Sequence, residues 1–425
     1  MSDHIFAGFG FGPIQAGLFA KEAFQSGHFR RIVVAEIDQR LVDAVRSNGG
    51  TYYVNVAGSD GIETVRIDGV ELLNPTNADD LDAIRAACAE ATEITTCLPS
   101  VNFFDSHPTH GVAALIAEGL RRRRSDATII YAAENHNHAA EILEQAVTQR
   151  PGGAIPPQVQ FLNTVIGKMS QVVNDPSEIA SRKLAPIVPG FGRAFLVEAF
   201  NRILVTKTTI PGFVPGIGVF IEKADLLPFE EAKLYGHNAI HALLGFVGLL
   251  KGYEKMTEIK DDTRLMQVAR EAFITESGGA LIRKHASLGD ELFTDSGYRH
   301  YAEDLLARMT NPYLADTTTR AARDVVRKLG VHDRIYGTMA LAMEHGIEPK
   351  NMAIGAMAGI ALLLANAADH GLPRELHSLN WRTLDTRSLT QLLTFLWQSP
   401  TSLTLRRLAD CTCSAGKSLA ALLAK

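Results

Sequence analysis

The 425-residue chain is poor in cysteine, with four residues, and in tryptophan, with two. Cys88, Cys97, Cys411 and Cys413 show neither zinc-ligand spacing nor a disulfide framework. Cys411 and Cys413 also stand too close in sequence for an ordinary structural bridge. A disulfide-stapled secreted module is thereby excluded, and a reducing, cytoplasmic setting is expected. Charge of one sign is lacking too. Lys and Arg number 42 against 47 Asp and Glu, a net charge of -5, so wholesale binding of nucleic acid or of a membrane surface is not expected. Long apolar runs are absent. The longest, Met352 to Ala365, is broken by Gly355 and Gly359 and reads as a buried core helix. Met1-Ser2-Asp3-His4 leads into a strand with no secretion-signal pattern. There is no internal repeat and no low-complexity segment. The single basic run, Arg121 to Arg124, reads as a helix C-terminus, where cations favour the dipole.

What is there is ordinary globular composition, 46% apolar and 21% charged, in a chain long enough for two domains. The first part alternates short apolar runs with helical patterns. Ile5 to Ala7, Arg31 to Ala35, Ile94 to Thr96 and Thr128 to Tyr131 read as strands. Ile14 to Gln25, Gln39 to Arg46 and Gly111 to Arg123 read as helices. Such alternation implies a parallel, doubly wound sheet. Thr51 to Leu73, rich in β-branched residues and in turn signals such as Gly58-Ser59-Asp60-Gly61, reads as inserted antiparallel strands. From about Phe191 the helical period dominates, over Glu230 to Leu250, Asp262 to Thr275, Gly297 to Met309, Asp316 to Leu329 and Met352 to Ala368. The expected fold class is therefore α/β. A Rossmann-like doubly wound sheet occupies residues 1–190, and a mainly α-helical substrate and catalytic domain occupies residues 191–425.

Gly8-Phe9-Gly10-Phe11-Gly12-Pro13-Ile14 follows the first strand and opens the first helix. A tight glycine turn there lets backbone N–H groups approach a pyrophosphate at the helix N-terminus. The third glycine of the usual fingerprint is replaced by Pro13, a residue the first helical position tolerates. Glu36, at the tip of the second strand, is placed to accept hydrogen bonds from a ribose 2′-OH and to repel a 2′-phosphate. NAD is the expected cofactor, and Arg40 one turn later keeps NADP open. An unrelated ligand in a glycine turn is the plainer alternative.

Lys233-Leu-Tyr-Gly-His-Asn238-Ala-Ile-His241 is the stretch that carries chemistry. At roughly 100° per residue its lysine, asparagine and histidine share an arc of about 140° on one helix. A desolvated lysine can act as a general base, an asparagine amide can hold a developing alkoxide, and a histidine can orient substrate. By spacing alone the same three residues fit better a solvated helix edge with a satisfied core histidine.

Lys233-x4-Asn238-x2-His241, with Gly248 and Gly252-Tyr253 after it, resembles the signature helix of the polyol-specific long-chain dehydrogenases, most of all their branch acting on mannitol 1-phosphate. Thr95-Thr96-Cys97-Leu98-Pro99, Glu134-Asn135, Asn311-Pro312-Tyr313-Leu314, Arg327-Lys328-Leu329 and Asp333-Arg334 resemble further family motifs in the same order. The resemblance runs from Phe6 to about Leu363. It implies a metal-independent dehydrogenase acting on CH–OH, with Lys233 as general acid/base, Asn238 and Asn163 holding the reacting oxygen, and His241 positioning substrate. It also implies Thr96, Glu134 and Asn135 around the nucleotide. Arg327, Lys328 and Arg334 are candidates for a substrate phosphate, or else a solvated helix face. The sequence departs from the family at Val165-Ile166-Gly167-Lys168, where a Val-Asp-Arg stretch is usual, and at His136-Asn137-His138. The latter reads as a polar loop beside the nicotinamide, with no metal expected. Together with Pro13 these mark a divergent branch. The expected substrate is a polyol or sugar phosphate, and the expected assembly is a monomer or homodimer. The alternatives are a hexuronate- or altronate-type reductase and a dinucleotide-binding sensor without catalysis.

Overall fold

The structure, a computed structural model, describes residues 4–151 and 153–424, so the reading of Met1 to Asp3 falls outside it. The chain divides into two compact units, residues 1–227 and 228–425.

Among the described residues of the first unit twelve strands are formed: β1 (His4–Phe9), β2 (Phe29–Ala35), β3 (Tyr52–Ala57), β4 (Ile62–Ile67), β5 (Val70–Leu73), β6 (Glu93–Thr96), β7 (Thr128–Ala132), β8 (Val159–Val165), β9 (Ser170–Val173), β10 (Ala194–Glu198), β11 (Ile203–Thr206) and β12 (Phe220–Lys223). The main sheet has the order β12-β11-β8-β7-β6-β1-β2-β5. Its six strands from β5 to β8 are all parallel. The chain builds outward from β1 through β2 to β5, then returns to the other side of β1 for β6. In such sheets ligands bind beyond the carboxyl ends of the strands, where the build-out reverses. Alternating residues of the central strands feed two cores, one on each face. Phe6, Val34 and Tyr131 enter one; Ala7, Val33 and Ile130 enter the other. Helices Gln39–Ser47, Ala78–Glu90, Val112–Arg121 and Ala139–Thr148 make the connections, as a parallel sheet requires. The basic run sits at the end of Val112–Arg121, where Glu118 pairs with Arg122 at 2.9 Å and Arg121 at 3.6 Å.

Two expectations are corrected. Within Thr51 to Leu73, β3 and β4 do pair antiparallel, but β5 joins the main sheet in parallel with β2. The 191–227 region is not helical. Its strand β10 completes a four-stranded sheet β4-β3-β10-β9, while β11 and β12 extend the main sheet past β8. The first unit therefore runs to residue 227, beyond the expected division at 190/191. The second sheet packs on the helix that follows the glycine turn. A Cβ on Gly17 would lie 2.5 Å from Val197 Cγ1 and 3.2 Å from Val54 Cγ1, so only glycine allows that approach.

The second unit is helical. Leu227–Glu231, Ala232–Asn238 and Ala239–Leu250 form one continuous run, as do Thr263–Glu271, Ala272–Gly278 and Gly279–His285. The apolar stretch read as a core helix is Lys350–Ala365, buried along most of its length. The expected helix Asp316 to Leu329 is broken into Thr318–Ala322 and Val325–Lys328. Asp324 between them adopts a left-handed φ of 60°, which no helix interior accommodates. Among the described residues no helix is long and apolar enough to cross a membrane.

Candidate active site

The glycine turn follows β1 at the carboxyl edge of the parallel strands. Gly10 has φ 81°, and a Cβ there would lie 2.8 Å from the Cys97 carbonyl oxygen. Gly8 faces Gln15, whose Nε2 would lie 2.1 Å from an added Cβ. Gly12 is different, since an added Cβ would meet nothing within 4 Å. Its carbonyl accepts the first helical bond, from Ala16 N–H at 2.9 Å, and Pro13 has no N–H to leave unsatisfied. The N–H groups of Gly12 and Ile14 find no acceptor among the described residues. Open space in front of unpaired donors at a helix start is a cradle for an anion, and these residues fit a dinucleotide pyrophosphate.

The carboxylates expected at this site are engaged with the loops themselves. Glu36 accepts from Phe11 N–H at 2.7 Å and Asp38 N–H at 2.8 Å, tying the glycine turn to the tip of β2. An ionised carboxylate has lone pairs left for ribose hydroxyls after two such bonds. Glu134 is buried and accepts from Thr96 Oγ1 at 2.9 Å and Leu98 N–H at 2.8 Å. Burial pushes its carboxyl up, and these two donors oppose the rise. Asn135 is exposed beside His136 and His138. Among the described residues no group of His, Cys, Asp and Glu could hold a metal. Asn163, in β8, accepts from Ala140 N–H at 2.8 Å and donates to Glu141 at 2.8 Å, clamping the start of the helix Ala139–Thr148. Lys168, at the departure from the family pattern, is buried and donates to Phe200 C=O at 2.9 Å and Asn201 Oδ1 at 3.0 Å.

In the second unit the lysine helix is not regular. Ala232–Asn238 is a π-helical segment inside the α-helical run, a distortion frequent at functional sites. The α-helical arithmetic set Lys233 and Asn238 well apart. The i→i+5 pattern of a π turn instead brings residues five apart onto one face. Gly236 permits the distortion to sit in the core, because a Cβ there would be 2.7 Å from Tyr298 Oη and 2.8 Å from Phe273 Cε2. Burial pushes the Lys233 amine down to about 8; the Glu230 carboxylate opposes that and the Arg334 guanidinium adds to it. The Asn238 carboxamide makes no hydrogen bond among the described residues. His237 is buried, and burial first, then His241 and the neighbouring cations, hold its imidazole well below the ordinary range.

His241 hydrogen-bonds through Nε2 to Asp316 Oδ2 at 2.8 Å. Burial alone would raise the Asp316 carboxyl, but His241 and Arg320 outweigh it and hold it at about 2. The sequence reading missed Asp316 and Arg320. The signal was an acidic residue two positions after Asn311-Pro312-Tyr313-Leu314, with an arginine four positions further on. The phosphate candidates separate. Arg334 is buried, donates to Asp333 at 2.7 Å, and lies near enough to Lys233 to act on it. Lys328 is buried and donates to the Ala321 carbonyl at 2.7 Å; burial, with Arg334 and Arg327 acting in the same direction, pushes its amine down to about 8. Arg327 is exposed, paired with Asp324 at 3.3 Å.

Residues 225–391 match the family model of the mannitol dehydrogenase C-terminal domain. The mannitol-1-phosphate 5-dehydrogenase of Geobacillus thermodenitrificans is 30% identical over 365 residues, covering 84% of this chain and 85% of that protein. The chain belongs to the mannitol dehydrogenase family. This is a family of oxidoreductases acting on CH–OH groups. The mannitol-1-phosphate 5-dehydrogenase of Pseudarthrobacter chlorophenolicus is 29% identical over 369 residues, covering 85% of this chain and 86% of that protein. Two solved structures share the family fold. A substrate-free D-sorbitol dehydrogenase superposes with TM-score 0.74 at 16% identity, over 98% of this chain and 95% of its own. Pseudomonas fluorescens mannitol 2-dehydrogenase, solved as a ternary complex with NAD and D-mannitol, gives 0.69 at 17% identity, over 99% and 94%.

Proposed function

We propose that this member of the mannitol dehydrogenase family is an NAD-dependent dehydrogenase interconverting a secondary alcohol of a polyol or sugar phosphate and its ketone, with Lys233 as general acid/base. The observation that carries the proposal is a desolvated amine, pushed down to about 8, on the same π turn as an amide that makes no hydrogen bond among the described residues. An amine near 8 is divided between its two forms at working pH, the condition under which acid–base catalysis is most effective.

Bound NAD supplies the hydride acceptor. Gly8, Gly10, Gly12, Pro13 and Ile14 would hold its pyrophosphate and Glu36 its ribose. Thr96 and Glu134 keep the neighbouring loop in shape. Neutral Lys233 takes the proton of the substrate hydroxyl as hydride leaves the carbinol carbon. The Asn238 amide donates to the oxygen as charge develops on it. In the reverse direction the Lys233 ammonium returns the proton to the ketone oxygen. Asn163 already accepts and donates within the first unit, so the oxygen-holding role is assigned to Asn238. Of the phosphate candidates, Arg334 is the one beside Lys233, while Lys328 faces a backbone carbonyl.

Replacing Lys233 with alanine tests the reading. Turnover should fall by about 10²- to 10⁴-fold, while NADH binding, followed by nucleotide fluorescence, stays near wild type. The substrate comes from a spectrophotometric screen of polyols, their phosphates and hexuronates with both nucleotides. A K233A chain with nearly full activity on that substrate contradicts the proposal. Tight NADH binding without turnover of any of these compounds favours a sensor.

A further inference from the structure

His241, Gly245 and Gly248 lie on one face of the lysine helix, at the i, i+4, i+7 spacing. That face is cut back to glycine twice. A Cβ on Gly245 would lie 2.6 Å from Ala321 Cβ, and one on Gly248 3.0 Å from Thr318 Cγ2. The helix Thr318–Ala322 therefore approaches the lysine helix closely, and the residues just before it come level with His241. Gly252, with φ 80°, ends the lysine helix and turns the chain so that residues 253–256 run beside 316–318. Thr318 N–H donates to the Glu254 carbonyl at 3.0 Å, Met256 N–H to the Asp316 carbonyl at 2.9 Å, and Thr318 Oγ1 to the Tyr253 carbonyl at 2.5 Å. Thus Gly248 and Gly252-Tyr253 brace the backbone of Asp316.

The Asp316 side chain is 4% exposed, and its two oxygens are divided. Oδ1 accepts from Thr317 N–H at 2.9 Å and from Arg320 Nη1 at 2.9 Å. Oδ2 is left for His241 Nε2, at 2.8 Å. The other ring nitrogen, Nδ1, makes no hydrogen bond among the described residues. A carboxylate accepts and cannot donate, so the nitrogen facing it carries the proton, and the hydrogen bond to one ring nitrogen sets the state of the other.

We propose that Asp316, anchored by Arg320, is a positioning residue that keeps the proton of His241 on Nε2 and so presents Nδ1 as the acceptor for a substrate hydroxyl. The inference rests on the lysine reading, since it assigns His241 to substrate. The charged groups that act on the neighbouring His237 are Lys233 on the same helix, Arg308 from Asp295–Met309 and Arg334 from Arg334–Glu344. Each of these can add a positive charge, and among the described residues the acceptor at Nε2 is Asp316 Oδ2.

The test is a double-mutant cycle of D316N, H241N and D316N/H241N, read as kcat/KM for the confirmed polyol alongside NADH fluorescence titration. D316N should lower kcat/KM on the order of 10-fold, as when histidines lose an orienting carboxylate, with NADH affinity unchanged, and the double variant should be no worse than H241N alone. Unchanged kcat/KM in D316N, or losses that add in full, overturn the proposal. Where D316N does not fold, the wild-type chain decides. Long-range ¹H–¹⁵N correlations of the neutral His241 ring, assigned by their loss in H241N, should show the proton on Nε2 and none on Nδ1. A neutral ring with its proton on Nδ1 overturns it. A live K233A enzyme strikes the lysine reading whatever Asp316 does, whereas an inactive K233A with fully additive losses strikes this inference alone.

Discussion

The two units treat their polar residues in opposite ways. In the first, the side chains that mark the nucleotide motif are engaged with the backbone that displays it. Glu36 holds Phe11 and Asp38, Glu134 holds Leu98, and Asn163 holds Ala140. What remains open there is backbone, the N–H groups around Gly12. In the second unit the groups that make no hydrogen bond among the described residues are side chains, the Asn238 amide and His241 Nδ1, on a helix whose π-helical segment contains both Lys233 and Asn238. One unit uses side chains to shape a backbone cradle. The other uses a packed backbone to aim side chains.

That contrast can be broken by substitution. The largest effect after Lys233 is expected at Asn238. With no hydrogen-bond partner among the described residues to lose, N238A should keep the wild-type melting temperature while kcat falls by about 10²- to 10³-fold, the range for removing one oxyanion donor. A chain that melts early with kcat intact would move Asn238 to the structural side. The smaller effect belongs to the first unit. E134A leaves the Leu98 N–H and Thr96 hydroxyl without their buried acceptor. It should cost about 1–3 kcal/mol of stability in denaturant unfolding, with kcat at saturating nucleotide little changed. A kcat loss as large as that of N238A, without destabilisation, would show Glu134 acting on the chemistry.

Much of this was legible in the sequence, for physical reasons that differ by place. The glycine turn and Glu36 were readable because phosphate and ribose recognition fix residue types at short spacing, and β1, β2, β6 and β7 because buried parallel strands are short β-branched runs. The strands of 191–227 were not. Ala194–Glu198 and Ile203–Thr206 are only five and four residues long, and Pro211-Gly212, Gly216 and Gly218 between β11 and β12 resemble punctuation between helices. The π turn was hidden because periodicity assumes about 100° per residue throughout. Asp316 was hidden because its partner lies 75 positions away, a pairing that only the close approach at Gly245 and Gly248 creates.

The central claim is that the amine of Lys233 carries the proton, and kcat/KM measured against pH in both directions tests it most directly. Alcohol oxidation needs the neutral amine and ketone reduction the ammonium. With burial holding Lys233 at about 8, oxidation should rise and reduction should fall as pH increases through that value. Limbs that share no midpoint near 8, or an oxidation rate flat from well below to well above it, would contradict the account.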